Sequence, residues 1–200
     1  MLLKKRILII TLLTTLLAIG WWHSYSKINS YYAGFSNTKI AYYSVGETVD
    51  FGEDYLNVDL NANGYTIRVD RFEIVDYSEF VQNQGLTEII KRDTHTPEKL
   101  ALVYITLCNV DSNAEGIMLT ELKLHGIDQN VPLDWSVLDV INPVLSGNLG
   151  VALSQGSRYQ LILPYSLRQR DFLSAWENID KYSLFLQLTS FPTVKEIQVQ

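Results

Sequence analysis

The sequence predicts an all-β body, an antiparallel sandwich of seven or eight strands with one short helix, carried behind a single N-terminal transmembrane helix. Three observations predict it. An uncharged, mostly apolar run from Ile7 to Ser26 follows Lys4, Lys5 and Arg6. Beyond it, apolar and polar side chains alternate with period two. Gly, Asn, Asp and Pro punctuate the alternating runs where turns are needed.

A helix needs about 20 mostly apolar residues to cross a bilayer, and Ile7 to Ser26 meets that length although Thr11, Thr14, Thr15 and Gly20 dilute it. The three cations on its N-terminal side keep the N-terminus in the cytoplasm and send the rest of the chain out as an extracellular, single-pass cell-membrane protein. Trp21, Trp22 and Tyr25 fall where an interfacial aromatic belt lies. A cleaved signal peptide uses the same ingredients: a basic start, an apolar core from Ile7 to Leu17, and small residues at Ala18 and Gly20. Cleavage near Gly20 would release a secreted chain beginning at Trp21-Trp22, an awkward terminus, so retention is the leading expectation. The expected organisation is an anchor over 1–26, a stalk over 27–41 and a domain over 42–200.

Formal charge is −6 over 200 residues, and the part beyond the anchor keeps 13 basic residues against 22 acidic. That balance argues against a nucleic-acid partner, whose binding rests on a basic surface. Cys108 is the only cysteine, so no internal disulfide forms, a site built on several thiolates is excluded, and no lipid-carrying cysteine follows the apolar run. No cofactor is expected, and stability must come from packing.

Along the domain, Tyr65, Ile67 and Val69 share one face, with Thr66, Arg68 and Asp70 opposite. Phe72 and Ile74 then take over the apolar side, a phase slip that a bulge at Asp70-Arg71 produces. Leu100 to Val110 is apolar on both faces and suits a central strand. Met118, Leu122 and Leu124 mark the next strand; Leu133, Trp135 and Val137 mark another. Tyr159, Leu161 and Leu163 alternate with Arg158 and Gln160 before Pro164. Ser166 with Gln169 offers a capping box, and Leu173, Trp176 and Ile179 a buried stripe, for the one helix. Tyr182 to Thr189 alternates cleanly, and a last strand covers Val194 to Val199. A long insertion, Ser78 to Glu98, holds a short helical turn at Glu88 to Arg92.

Ser44-Val-Gly-Glu-Thr-Val-Asp-Phe-Gly52, followed by Gly64-Tyr-Thr-Ile-Arg-Val-Asp-Arg-Phe-Glu-Ile-Val75, resembles the opening of a telokin-like, immunoglobulin-fold family. Its members are uncharacterised membrane-anchored or lipoprotein domains of Gram-positive Firmicutes. Leu102 to Asn109 and Gln155-Gly-Ser to Leu163-Pro-Tyr165 continue the resemblance, which covers roughly Tyr43 to Val199. It implies an immunoglobulin-like sandwich at the cell surface and brings no catalytic residues. The chain departs from it in the Ser78 to Glu98 insertion and in lacking a lipid-attachment cysteine.

Asp59, Asn61, Asn63 and Asp70, with Gly64 at the sixth position, reproduce the spacing of a calcium loop. The flanks alternate like strands, and Asn61 to Gly64 is also what a hairpin turn requires, so the turn is the leading reading and no metal is expected. Thr106-Leu-Cys108 near a strand end invites comparison with sortases, which need a thiolate, a distant upstream histidine and a downstream arginine. Here the nearest upstream histidine is His95, and no arginine lies between Cys108 and Arg158, so a packed thiol is expected. Ser36-x-x-Lys39 and Ser146-Gly-Asn148 match two of three penicillin-binding motifs without the third. His23, His95 and His125 do not cluster. Phe80, Val81, Leu86, Ile89 and Ile90 give the insertion more apolar content than a solvated loop needs, marking either a recognition loop or a cover for the core. The functional expectation is a non-enzymatic, membrane-tethered domain for a protein partner at the cell envelope. A Cys108 enzyme and a calcium-stabilised module are its alternatives.

Overall fold

The alternating segments form strands, as their β-branched and aromatic content requires. The computed structural model describes residues 2–36, 38–57, 60, 62–87, 96–111 and 116–200, divided into one unit over 1–38 and another over 39–200. The first unit is the helix α1 (Leu2–Ser36), with side chains described at Arg6 and over 11–27. Its apolar residues lie around the helix rather than along one stripe, and Trp21 stacks on Tyr25 with ring centroids 5.2 Å apart. The Thr14 and Thr15 hydroxyls both donate to the Thr11 carbonyl, so they present no free donors to their surroundings. Among the described residues no helix is long and apolar enough to cross a membrane. Side chains at residues 7–10, the most apolar part of the expected span, lie outside the described ones. The residues expected as a stalk divide between the end of α1 and the first strand.

In chain order the second unit contains β1 (Lys39–Ser44), β2 (Thr48–Asp50), β3 (Tyr65–Asp76), α2 (Tyr77–Asn83), β4 (Lys99–Asn109), β5 (Ile117–Met118), β6 (Lys123–His125), β7 (Asn130–Val131), α3 (Trp135–Ile141), β8 (Gly150–Val151), β9 (Arg158–Leu167), α4 (Gln169–Phe172), β10 (Phe185–Gln187) and β11 (Thr193–Gln198). One sheet has the order β1-β11-β10-β6-β7, a second β2-β3-β4-β9, and β5 pairs with β8 alone. Among the described residues all pairings are antiparallel except β1 with β11, which is parallel. The two larger sheets face each other across one core. Ile67, Val103, Ile105 and Leu163 of one meet Leu124, Leu186 and Ile197 of the other, all fully buried.

The bulge falls where the apolar phase slips: register with β4 shifts between Val69 and Arg71, leaving Asp70 as the extra residue. β4 is buried on both faces over residues 100–103, where helices cover its outer side. Tyr77, Val81 and Leu86 from α2 and its following turn, and Val137 from α3, pack on Leu100 and Leu102 in a second, smaller core. The cover is therefore part of the fold.

Several expected elements differ. Leu133, Trp135 and Val137 do not form a strand: Asp134 caps α3 by accepting the Val137 N–H at 3.1 Å, and Val137 and Leu138 bury while Trp135 stays 43% exposed. The strand through Met118 and Leu124 breaks at a 3-10 turn over Leu119–Glu121. No capping box forms at Ser166, whose hydroxyl donates to Asp134 at 3.0 Å; the Gln169 N–H is taken by Glu98 instead. The single expected helix is α4 followed by a 3-10 segment, Leu173–Lys181. Leu173 turns at φ +46°, which throws its side chain out to 73% exposure and gives its core place to Phe172. The regular strand within Tyr182 to Thr189 shortens to β10, although Leu184, Leu186 and Leu188 all bury as the alternation required.

Candidate functional site

The outer face of the β2-β3-β4-β9 sheet is covered along only part of its length. Strand alternation and the β4 register assign Thr66, Arg68, Arg71 and Glu73 from β3 to this face, with the bulged Asp70. Tyr104, Thr106 and Cys108 come from β4, and Arg158, Gln160 and Ile162 from β9. α2 and α3 cover the end holding Leu100 and Leu102, and leave the rest open. At the border lies a cleft of about 430 Å³ whose walls include Asp70, Arg71, Tyr104, Asn142, Gln160 and Ile162. That volume is within the range of small-ligand and side-chain pockets.

The bulge shapes the cleft by aiming two charged residues at the same face. Asp70 accepts hydrogen bonds on both sides, from the Arg68 Nε, which also neutralises it, and from the Thr106 hydroxyl. The Arg71 guanidinium lies 3.9 Å from the Tyr104 ring centroid, a cation–π contact, and 3.4 Å from Glu73. Tyr104 donates its hydroxyl to Glu73. Burial, then that carboxylate, push the Tyr104 phenol above its usual range, so it holds its proton at neutral pH.

Asn142 builds the opposite wall. The residue is 4% exposed; Nδ2 donates to the Leu138 carbonyl at 2.9 Å and to the Ile162 carbonyl at 2.8 Å, while Oδ1 accepts the Ile162 N–H at 2.9 Å. The amide thus stands where a neighbouring strand's peptide would stand on the β9 edge. Further along, the Asp134 N–H donates to the Pro164 carbonyl and the Ser166 N–H to the Pro132 carbonyl, so residues 132–142 close this part of the edge. Pro164 is tolerated because the ladder to β4 does not need its missing N–H.

Of the residues singled out in the sequence, Asp59, Asn61, Ile89, Ile90 and His95 lie outside the described ones. Asn63 and Gly64 form a turn, with Gly64 at φ +84° and the Tyr65 N–H donating to the Ala62 carbonyl at 2.9 Å. Asp70 belongs to the sheet face, engaged by Arg68 and Thr106. Among the described residues no three His, Cys, Asp or Glu side chains converge as a metal site requires. Val81 and Leu86, each 7% exposed, and the half-buried Phe80 pack on the outer side of the sheet. Cys108 is half-buried, and the β4–β9 register sets Arg158 directly opposite it on the same face, a pairing that sequence distance concealed. His125 faces outward from the other sheet, hydrogen-bonded to Glu196 at 3.1 Å and to the Gly126 carbonyl at 2.8 Å. Ser36 and Lys39 belong to the end of α1 and the start of β1, and Ser146 ends a 3-10 turn at φ +49°.

Sequence reasoning put Arg158 and Gln160 on one strand face but missed Asn142 beside them and Cys108 opposite Arg158, because a helix folding back and strand pairing bring these together. No curated protein and no solved structure matches the chain. Over residues 40–195, nearly the whole strand-rich unit, it matches the family described as Domain of unknown function (DUF5028), and it belongs to that family.

Proposed function

We propose that this chain is a non-enzymatic binding module, tethered to a membrane by its N-terminal helix and facing the extracellular side, for a protein partner of the cell envelope. The observation that carries the binding role is the sheet face left open beside a polar cleft, while helices cover the rest of that face. Concave sites with a few placed polar groups are where proteins take up ligands and side chains. The tether is supported by the uncharged run from Ile7 to Ser26 behind Lys4, Lys5 and Arg6, by α1 running through it, and by the exposed Trp21 and Trp22 at its end.

An immunoglobulin-like class is supported by two facing sheets and by the first strand joining the last in parallel, while a Gram-positive cell-surface family is supported only by the sequence resemblance of Ser44 to Gly52 and Gly64 to Val75. A non-enzymatic role is supported by Cys108 and His125 facing outward from opposite sheets, with the core between them. A thiolate and its base must come within hydrogen-bond reach of each other.

Cross-linking in intact cells tests the binding role. The tagged full chain is expected to capture a defined envelope protein that is not captured when residues 39–200 are replaced by an unrelated domain behind the same helix. Capture of the same proteins by both chains would overturn the role.

A further inference from the structure

We propose that the free edge of β9 at Arg158 and Gln160, together with the cleft beside it, receives an extended acidic segment of a partner protein as an added strand. The site presupposes the binding role proposed above and specifies its chemistry.

The edge argument comes from hydrogen bonds. The peptide groups of Ile162, Pro164 and Ser166 that face away from β4 are taken by Asn142, Asp134 and Pro132. In an antiparallel strand every second residue presents its N–H and C=O to the same edge. Arg158 and Gln160 continue that series, both are exposed, and among the described residues nothing pairs with their outward peptide groups. Proteins normally blunt such edges with charged side chains, proline, a bulge or a covering segment. Here the covering segment stops at Asn142, residues 158–160 carry no proline or bulge, and their one charge, Arg158, favours an acidic strand over a second copy of this edge. The Asn142 amide, bonded to Ile162 as a peptide would be, is the last rung of a row that an incoming strand extends.

The cleft supplies specificity. In strand addition the main chain gives affinity, and pockets for alternate side chains select sequence. Asp70 and Glu73 have their oxygens engaged by Arg68, Thr106, Tyr104 and Arg71. The Arg71 side chain is 58% exposed, and Arg158 makes no side-chain ion pair among the described residues. Arg68, Arg71 and Arg158 match Asp50, Asp70 and Glu73 one for one on a chain whose net charge is −6. Asp50 lies at the far β2 edge, so the exposed Arg71 and Arg158, the latter unpaired among the described residues, leave the β9 side of this face attractive to an acidic group. The Gln160 amide adds a donor at the cleft wall. An acidic side chain on the incoming strand fits those donors.

The probe is a displayed library of random seven-residue peptides, panned on the full chain in detergent micelles. Selected peptides are expected to carry Asp or Glu at alternate positions and to bind more weakly as salt rises. Gln160→Pro removes an N–H that the β4 ladder does not use, and Arg71→Glu reverses the charge in the cleft. Each is expected to weaken the selected peptides about tenfold or more. Tyr42→Ser, on the outer face of the other sheet, is expected to leave them unchanged. Should Gln160→Pro fail to fold, Arg71→Glu and Arg158→Glu, both at exposed side chains, carry the test. Absence of selected peptides, selection without acidic bias, or equal binding by the variants would overturn the site. A cross-linked envelope partner that is retained by Gln160→Pro and Arg71→Glu would overturn this site while leaving the binding role in place. Loss of body-dependent cross-linking in the parent chain would remove the role itself.

Discussion

Lys195→Met is expected to destabilise the strand-rich unit by about 3–5 kcal/mol, the cost of breaking a buried ion pair from one side. Lys195 and Asp54 side chains are each only 13% exposed and meet at 2.8 Å. The ammonium also donates to the carbonyls of Asp50 at 2.7 Å and Phe51 at 2.9 Å, the segment that ends β2. Asp54 in turn accepts the Thr193 N–H at 3.0 Å, where β11 begins. One cation therefore ties the strand of one sheet to the chain leaving a strand of the other. Methionine fills the same volume but leaves a buried carboxylate and two carbonyls without their donor. Thermal melting is expected to fall by roughly 10 °C for a unit of this size. Asp54→Leu combined with Lys195→Met should recover a large part of that loss, because no unpaired charge remains. A melting temperature unchanged in Lys195→Met would show the pair to be solvated.

Asn142→Leu is expected to cost about 2–4 kcal/mol, since it leaves the Ile162 N–H and C=O without partners beside a packed helix. The loss differs in kind from that at Lys195, which holds the two sheets together. Asn142 holds α3 to the β9 edge and forms one wall of the cleft. Amide exchange at Ile162 should therefore accelerate more than exchange in β3, and both should be read in the same sample. Asn142→Asp keeps an acceptor for the Ile162 N–H but loses both donors, so it should protect that N–H while still destabilising the helix end. Equal exchange at Ile162 in all three proteins would remove Asn142 from its role.

These two residues show where a sequence stops being informative. The bulge at Asp70-Arg71 is legible because a one-residue slip moves every following apolar side chain to the other face. The doubly buried part of β4 is legible because Leu100 to Val103 is apolar without a break. Leu133, Trp135 and Val137 mislead because three apolar residues at period two also occur by chance over a helix start. The Asp134 cap and the buried Val137 and Leu138 decide for α3. Leu173 misleads in a different way: its helical spacing with Trp176 and Ile179 assumes an unbroken helix, and the turn at Leu173 breaks it. The candidate site was less legible still. Arg158 opposite Cys108, and Asn142 bonded to Ile162, are consequences of register and of a helix folding back, and no local pattern announces either.

The proposed role requires the strand-rich unit to face outward. Ile127 is 78% exposed and Cys108 is the chain's only cysteine, so Cys108→Ser with Ile127→Cys yields a single accessible thiol on that unit. Cells making this full-length variant are treated with a membrane-impermeant maleimide before and after lysis. Equal labelling in intact and lysed cells is the predicted result. Labelling that emerges only after lysis would place the unit on the inner side of the membrane and contradict the account.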